Sequence, residues 1–171
     1  MIEVTKANKL NELEALFKQL KLSVIKYQHP PLHTCQDADE INLNRAGVRI
    51  KNLFLRDNYG KRHFLLLVPS DYQVDLKALS KQRQLSRLGF ASSQRLAKYL
   101  GVKPGCVSAL AVFNDTEQVV TVWIESSLWQ AEQFQCHPFF NDQTWVLNKA
   151  DLQRFFEYTG HTHQVIDVPC L

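Results

Sequence analysis

Lys51 stands in Gly47-Val48-Arg49-Ile50-Lys51-Asn52-Leu53-Phe54-Leu55, immediately ahead of a strongly apolar run. A cation at the mouth of a buried strand can grip a phosphate or stabilise an oxyanion as it forms. The same spacing also suits an ordinary solvated lysine at a strand end. Pro104-Gly105-Cys106-Val107-Ser108 is a second candidate. Its turn lets a ligand approach the backbone, whose N–H groups can face a carbonyl or carboxylate, although Pro-Gly turns are routine. His137, in Cys136-His137-Pro138, is a third. An imidazole there can orient water or bond a substrate hydroxyl near neutral pH, or simply bond a loop backbone.

Familiar catalytic signatures are missing: no GxSxG elbow, Walker loop, GxGxxG or HExxH occurs. His29 and His33 are separated by Pro30 and Pro31, which forbid the helical geometry that would bring the two rings together. His161 and His163 have strand spacing. A zinc site built from distant residues is the weaker alternative, and no metal or other cofactor is expected. Cys106 as a nucleophile lacks a histidine partner legible in the sequence. The four cysteines, Cys35, Cys106, Cys136 and Cys170, form no CxxC pair and read as reduced thiols. Lys77, Lys81, Arg83, Arg87, Arg95, Lys98 and Lys103 make a basic run. It suits either RNA phosphates or a solvated helix face.

The elements that must position these groups follow from periodicity. Leu10, Leu13, Leu16, Phe17 and Leu20 predict an amphipathic helix capped by Thr5 or Asn8. Val24–Tyr27 reads as a strand stopped by His29-Pro30-Pro31, and 37–45 as a short helix. Asn52–Arg56 and His63–Val68 are apolar runs joined by Asp57-Asn58-Tyr59-Gly60, which predicts a buried hairpin. Helices are expected over Asp75–Gln82 and from Ser92 or Ser93 to Leu100, with Gly101 as stop. Val107–Phe113 and Val119–Ile124 read as strands about the Asn114-Asp115 turn, and Thr144–Leu147 as another. Asn148 caps a last helix ending at Gly160, and Val165–Val168 closes the chain as a strand.

Hairpins among interspersed helices imply one α/β (α+β) domain over 1–171 with a mixed sheet. At 171 residues, with 45% hydrophobic and 22% charged residues, the chain can fill a single core. The net charge of +3 permits a nucleic-acid partner without demanding one. No apolar run reaches membrane-spanning length and the first residues show no secretion signal, so a cytoplasmic protein without a membrane or DNA partner is expected.

Together these segments resemble the YbaK-type deacylases, the family that includes the editing domain of bacterial prolyl-tRNA synthetases. Lys51-Asn52-Leu53-Phe54-Leu55-Arg56-Asp57, His29-Pro30-Pro31, Gly101 to Ser108 and Asn114-Asp115 carry that likeness. Cys136-His137-Pro138 with Asn141 and Thr144, Asp151 to Phe155 and Gly160-His161 are similar to the free-standing alanyl-tRNA(Pro) deacylase branch, also called PrdX-like. The resemblance implies a mixed, partly closed sheet surrounded by helices. It also implies hydrolysis of the aminoacyl ester on tRNA, with mischarged alanyl-tRNA(Pro) as partner and prolyl-tRNA synthetase as a docking candidate. By position, Lys51 and His137 match the catalytic residues. His29, Asn52, Gly105, Cys106, Val107 and Ser108 match the substrate-binding side. Ala109 stands where many relatives carry the proline of a GxxxP pattern. Esters of serine or cysteine, a non-catalytic binding module and a metal-dependent hydrolase are the alternatives.

Overall fold

The computed structural model describes residues 2–31 and 46–171, with side chains from Ala7 onward. The helix expected over 37–45, together with His33 and Cys35, lies outside the described residues. Helix α1 (Ile2–Gln19) turns Leu13, Leu16 and Phe17 into the core, with Leu10 and Leu20 packed at its margin. It runs through Thr5 and Asn8, so neither caps it. Asn8 lies on the exposed side, where an interior asparagine costs a helix less than about 1 kcal/mol.

Eight strands follow among the described residues: β1 (Val24–Gln28), β2 (Val48–Arg56), β3 (His63–Pro69), β4 (Gly89–Phe90), β5 (Val120–Glu125), β6 (Gln133–Cys136), β7 (Gln143–Asn148) and β8 (Gln164–Ile166). They form one sheet in the order β1-β7-β6-β2-β3-β5-β8, with β4 also on β2. β2–β6, β3–β5 and β5–β8 are parallel and the other pairs antiparallel, so the sheet is mixed, as expected.

The β2–β3 hairpin holds Asn52 opposite Leu67 and Arg56 opposite His63. Its turn is fixed by the Asp57 carboxylate, which accepts the Lys61 and Arg62 N–H groups at 2.8 and 3.0 Å. β3 reads as an unbroken apolar run because both of its faces are covered. Leu65 and Leu67 join Phe54, Phe17, Trp145 and Phe155 in the larger core, whereas Phe64, Leu66 and Val68 join Leu55, Trp123 and Ile166 in a second. Leu79 of α2 (Leu76–Gln82) closes the second core, and Asp75 caps that helix.

Ser92 caps α3 (Ser93–Arg95), which continues as a π-type turn over Leu96–Leu100 and stops at Gly101. Asn148 caps α4 (Lys149–Thr159), whose Leu152, Phe155 and Phe156 enter the larger core before Gly160 ends it. These helices match expectation. The strand predicted over Val107–Phe113 does not form. Ala109–Asn114 is instead a 3₁₀ helix whose first four residues are wholly buried. A run buried on every side has no periodicity to separate strand from helix. The deciding group is Ser108, whose hydroxyl caps Leu110 N–H at 3.2 Å. β6 and the two-residue β4 were not anticipated.

Candidate active site on the open edge of β2

β6 pairs with β2 through Val48–Phe134 and Arg49–Gln135, whereas β4 pairs through Leu55–Phe90 and Arg56–Gly89. Both lie on the edge of β2 away from β3. Among the described residues, 50–53 therefore keep that edge without a partner strand. The Phe54 carbonyl accepts Ala91 N–H there at 2.9 Å, so strand alternation sends Asn52 N–H and C=O to the same edge. The gap exposes backbone groups beside the candidate lysine.

Lys51 is half-buried, and its Nζ donates to the Tyr72 carbonyl at 2.8 Å. Tyr72 is braced in turn. Its N–H closes a turn on the Pro69 carbonyl, and its hydroxyl donates to the Val168 carbonyl at 2.8 Å. Asp75 N–H to Pro169 C=O and Leu171 N–H to Gln73 C=O tie the same loop to the chain end. No carboxylate pairs with Lys51 among the described residues, and two of its three donors remain after the bond to Tyr72.

Asn52 points to the opposite face of β2, with Nδ2 on the Ile50 carbonyl at 3.3 Å. Its Oδ1 is buried with no hydrogen-bond partner among the described residues, a state that costs about 1–3 kcal/mol until a donor arrives.

His137 directly follows β6, whose ladder with β2 ends at Arg49–Gln135. The His137 N–H donates to Ser108 Oγ at 3.1 Å, and Nδ1 lies 3.2 Å from the Gln143 carbonyl. A carbonyl only accepts, so Nδ1 carries the proton and Nε2 is the basic nitrogen of the neutral ring. His29 has the same tautomer: Nδ1–H meets the Pro30 carbonyl and Nε2 accepts from Thr144 Oγ1, each at 2.8 Å. Both nitrogens of His29 are thus engaged within the protein. Its Nε2 orients Thr144, which adjoins Gln143.

In the loop, Cys106 N–H donates to the Lys103 carbonyl at 3.0 Å while Gly105 takes φ of +86°. Pro104 and Gly105 therefore occupy the centre of a type II turn, where only a residue tolerant of positive φ fits after proline. The Cys106 N–H is spent inside the turn, and Cys106 and Val107 pack partly against the larger core. Ser108 is wholly buried and accepts from both Leu110 and His137, so one hydroxyl couples the loop, the 3₁₀ helix and the histidine. Ala109 begins that helix and faces the core. A first helical position suits proline, so alanine here changes how stiffly loop joins helix.

The remaining candidates disperse. His161 Nε2 meets the buried Asp115 carboxylate at 2.8 Å, while His163 packs against Trp129 and Phe156. No cluster of three or more possible metal ligands occurs among the described residues. Burial pushes the Cys136 thiol up to about 12, which makes it a poor nucleophile. Cys136 and Cys170 carry free thiols. The basic run is split between layers: Arg83 lies over the Trp123 ring, whereas Arg95 bonds the Gly60 carbonyl and His63. Sequence reasoning missed Tyr72, which contributes a backbone carbonyl that any residue supplies.

The profile of the aminoacyl-tRNA editing domain matches residues 29–155, a span that contains His29, Lys51, the loop and His137. The chain belongs to the aminoacyl-tRNA editing domain family. The prolyl-tRNA editing protein ProX of Acetoanaerobium sticklandii is 33% identical over 154 residues, covering 90% of this chain and 94% of that protein. The prolyl-tRNA synthetase associated domain-containing protein 1 of Danio rerio is 35% identical over 157 residues, covering 91% and 85%. A crystal structure of a candidate trans-editing enzyme for prolyl tRNA synthetase superposes with a TM-score of 0.69. At 16% identity over 95% of this chain and 96% of that one, it shares the fold. As an editing domain, the chain is an aminoacyl-tRNA deacylase, a hydrolase of the ester between amino acid and tRNA. No helix among the described residues is long and apolar enough to cross a membrane.

Proposed function

We propose that this editing domain removes alanine from mischarged proline tRNA in trans, in the cytoplasm and alongside prolyl-tRNA synthetase. The observation that carries the reading is Lys51, whose uncompensated ammonium is fixed by the Tyr72 carbonyl beside the open edge of β2. The names of the two relatives, both tied to prolyl-tRNA or its synthetase, support the tRNA.

An aminoacyl ester is already activated, so positioning water and stabilising the oxyanion suffice. The two remaining donors of Lys51 hold the terminal phosphate or ribose of the tRNA. Asn52 N–H, on the open edge, and the backbone around the Gly105 turn face the aminoacyl carbonyl or amine. His137 orients the attacking water. Its oxygen adds to the ester carbonyl carbon, and the tetrahedral intermediate collapses by expelling the ribose oxygen. That oxygen takes up the proton lost by water, which leaves free alanine and intact tRNA. A free ribose hydroxyl of the substrate assists, so no protein triad is required. A small site admits alanine and turns proline away by bulk, which is easier to enforce than detecting a missing methylene.

Release of amino acid from alanyl-tRNA(Pro), prolyl-tRNA(Pro) and alanyl-tRNA(Ala) tests this reading. Rapid release from the first alone is expected. Release only from seryl or cysteinyl esters would move the substrate, and stoichiometric binding without turnover would make the chain a binding module.

A further inference from the structure

Two large aromatic side chains stand in solvent near the hairpin tip: Tyr59 is 73% exposed and Phe90 62%. Phe90 pairs with Leu55 across β2–β4, so its ring lies on the face of β2 that carries Lys51 and Leu53. Leu55 lies four positions after Lys51, about 13 Å along the strand. The open edge of β2 runs between them.

Cations gather at the same end. Arg56 lies opposite Gly89, Asn58 N–H bonds Ser86 Oγ at 3.1 Å, and Arg95 reaches the Gly60 carbonyl at 3.0 Å. The hairpin tip, β4 and α3 are thereby drawn together. Arg56, Arg95 and Lys98 all lie close enough to His63 to act on its charge. Asp57, the carboxylate among them, is buried and already accepts two backbone N–H groups. Arg87 is exposed three residues before Phe90. Arg56 and Arg95 gather about His63 on the opposite face of β2, so Arg87 is the cation left beside the exposed ring, which on the strand face of Lys51 has the makings of a platform for unpaired bases.

We propose that Phe90 stacks a base of the unpaired 3′ strand of the tRNA, towards the terminal nucleotide held at Lys51, while Arg87 meets the strand's phosphates. The surface rests on the tRNA reading given above and deepens it by assigning where the strand leaves the site. Stacking is tolerant of base identity, so this contact anchors the strand and leaves tRNA discrimination to other contacts.

The test is the affinity of the whole protein for an uncharged acceptor-stem minihelix ending in its unpaired 3′ strand, and for the same minihelix with that strand trimmed. Phe90→Ala is expected to weaken the first about tenfold and the second not at all. Phe90→Trp restores binding, whereas Phe90→Leu does not. Arg87→Gln reduces the slope of log affinity against log salt by about 0.7, as one phosphate contact to a single strand should. Equal affinity of wild type and Phe90→Ala, equal weakening on both RNAs, or no detectable binding by wild type would overturn the surface. Deacylation is scored separately. Hydrolysis of alanyl-tRNA(Pro) by wild type with Phe90→Ala binding normally sinks the surface alone, whereas strand-dependent binding without hydrolysis of any charged tRNA sinks the functional reading alone.

Discussion

The Lys51 ammonium and the Tyr72 carbonyl lie 2.8 Å apart, and the Tyr72 hydroxyl is itself bonded to the Val168 carbonyl at 2.8 Å. The position of the lysine therefore depends on a turn after β3 and on the last residues of the chain, about a hundred positions away in sequence. A backbone acceptor orients the ammonium without neutralising it, as binding of an anion requires.

Removing the brace should loosen that lysine. Tyr72→Phe is expected to cost about 1 kcal/mol of stability and to lower kcat by up to roughly tenfold, with KM little changed. Single-turnover deacylation beside thermal unfolding measures both. A kcat equal to wild type, with the stability loss present, would show that Lys51 does not depend on Tyr72.

Ser108 makes a second prediction. Its hydroxyl accepts from two N–H groups in a wholly buried position, so Ser108→Ala leaves the Leu110 and His137 donors unsatisfied. A loss of about 1–3 kcal/mol is expected, read as a lower urea midpoint at unchanged slope. Deacylation should fall with it, because the His137 backbone loses its anchor. An unchanged midpoint would contradict this coupling.

Stability should decline on acidification in two steps. Burial, then the nearby Arg95 charge, holds His63 below the ordinary histidine range, and burial alone does so for His163. The unfolded chain takes up these protons first, so their contribution is complete above about pH 6.5 and is lost as pH falls through the depressed folded values. Burial pushes the Asp57 and Asp115 carboxyls up. Backbone hydrogen bonds to Asp57, and the His161 hydrogen bond to Asp115, outweigh it and leave both below the usual aspartate range. Their contribution is complete above about pH 3.9 and is lost below it. Urea unfolding from pH 8 to pH 3 measures both steps, and His63→Gln should flatten part of the upper one. A flat profile between pH 8 and pH 5 would contradict the histidine assignment.

Much of this fold was legible because its signals are local. Asp75, Ser92 and Asn148 cap helices by their own side chains, and the β2–β3 hairpin is written in two apolar runs about a Gly-containing turn. The 3₁₀ helix over Ala109–Asn114 was misread as a strand because complete burial erases periodicity, although Ser108 held the capping signal. β6 was overlooked although Gln133, Phe134, Gln135 and Cys136 alternate outward and inward, because four residues are a weak run. Lys51 and His137 carry their signal in residue type and resemblance; one lies on β2 and the other directly follows β6, which pairs with β2. Tyr72 and the open edge of β2 left no trace in the sequence, since one is a backbone carbonyl and the other a gap between two ladders.

The most direct test of the account compares wild type with Lys51→Ala in the release of alanine from alanyl-tRNA(Pro), with folding of both checked by thermal unfolding. The account predicts that wild type releases alanine rapidly and that the folded variant is slower by about 10²–10³-fold. A folded Lys51→Ala protein that deacylates at the wild-type rate would contradict it.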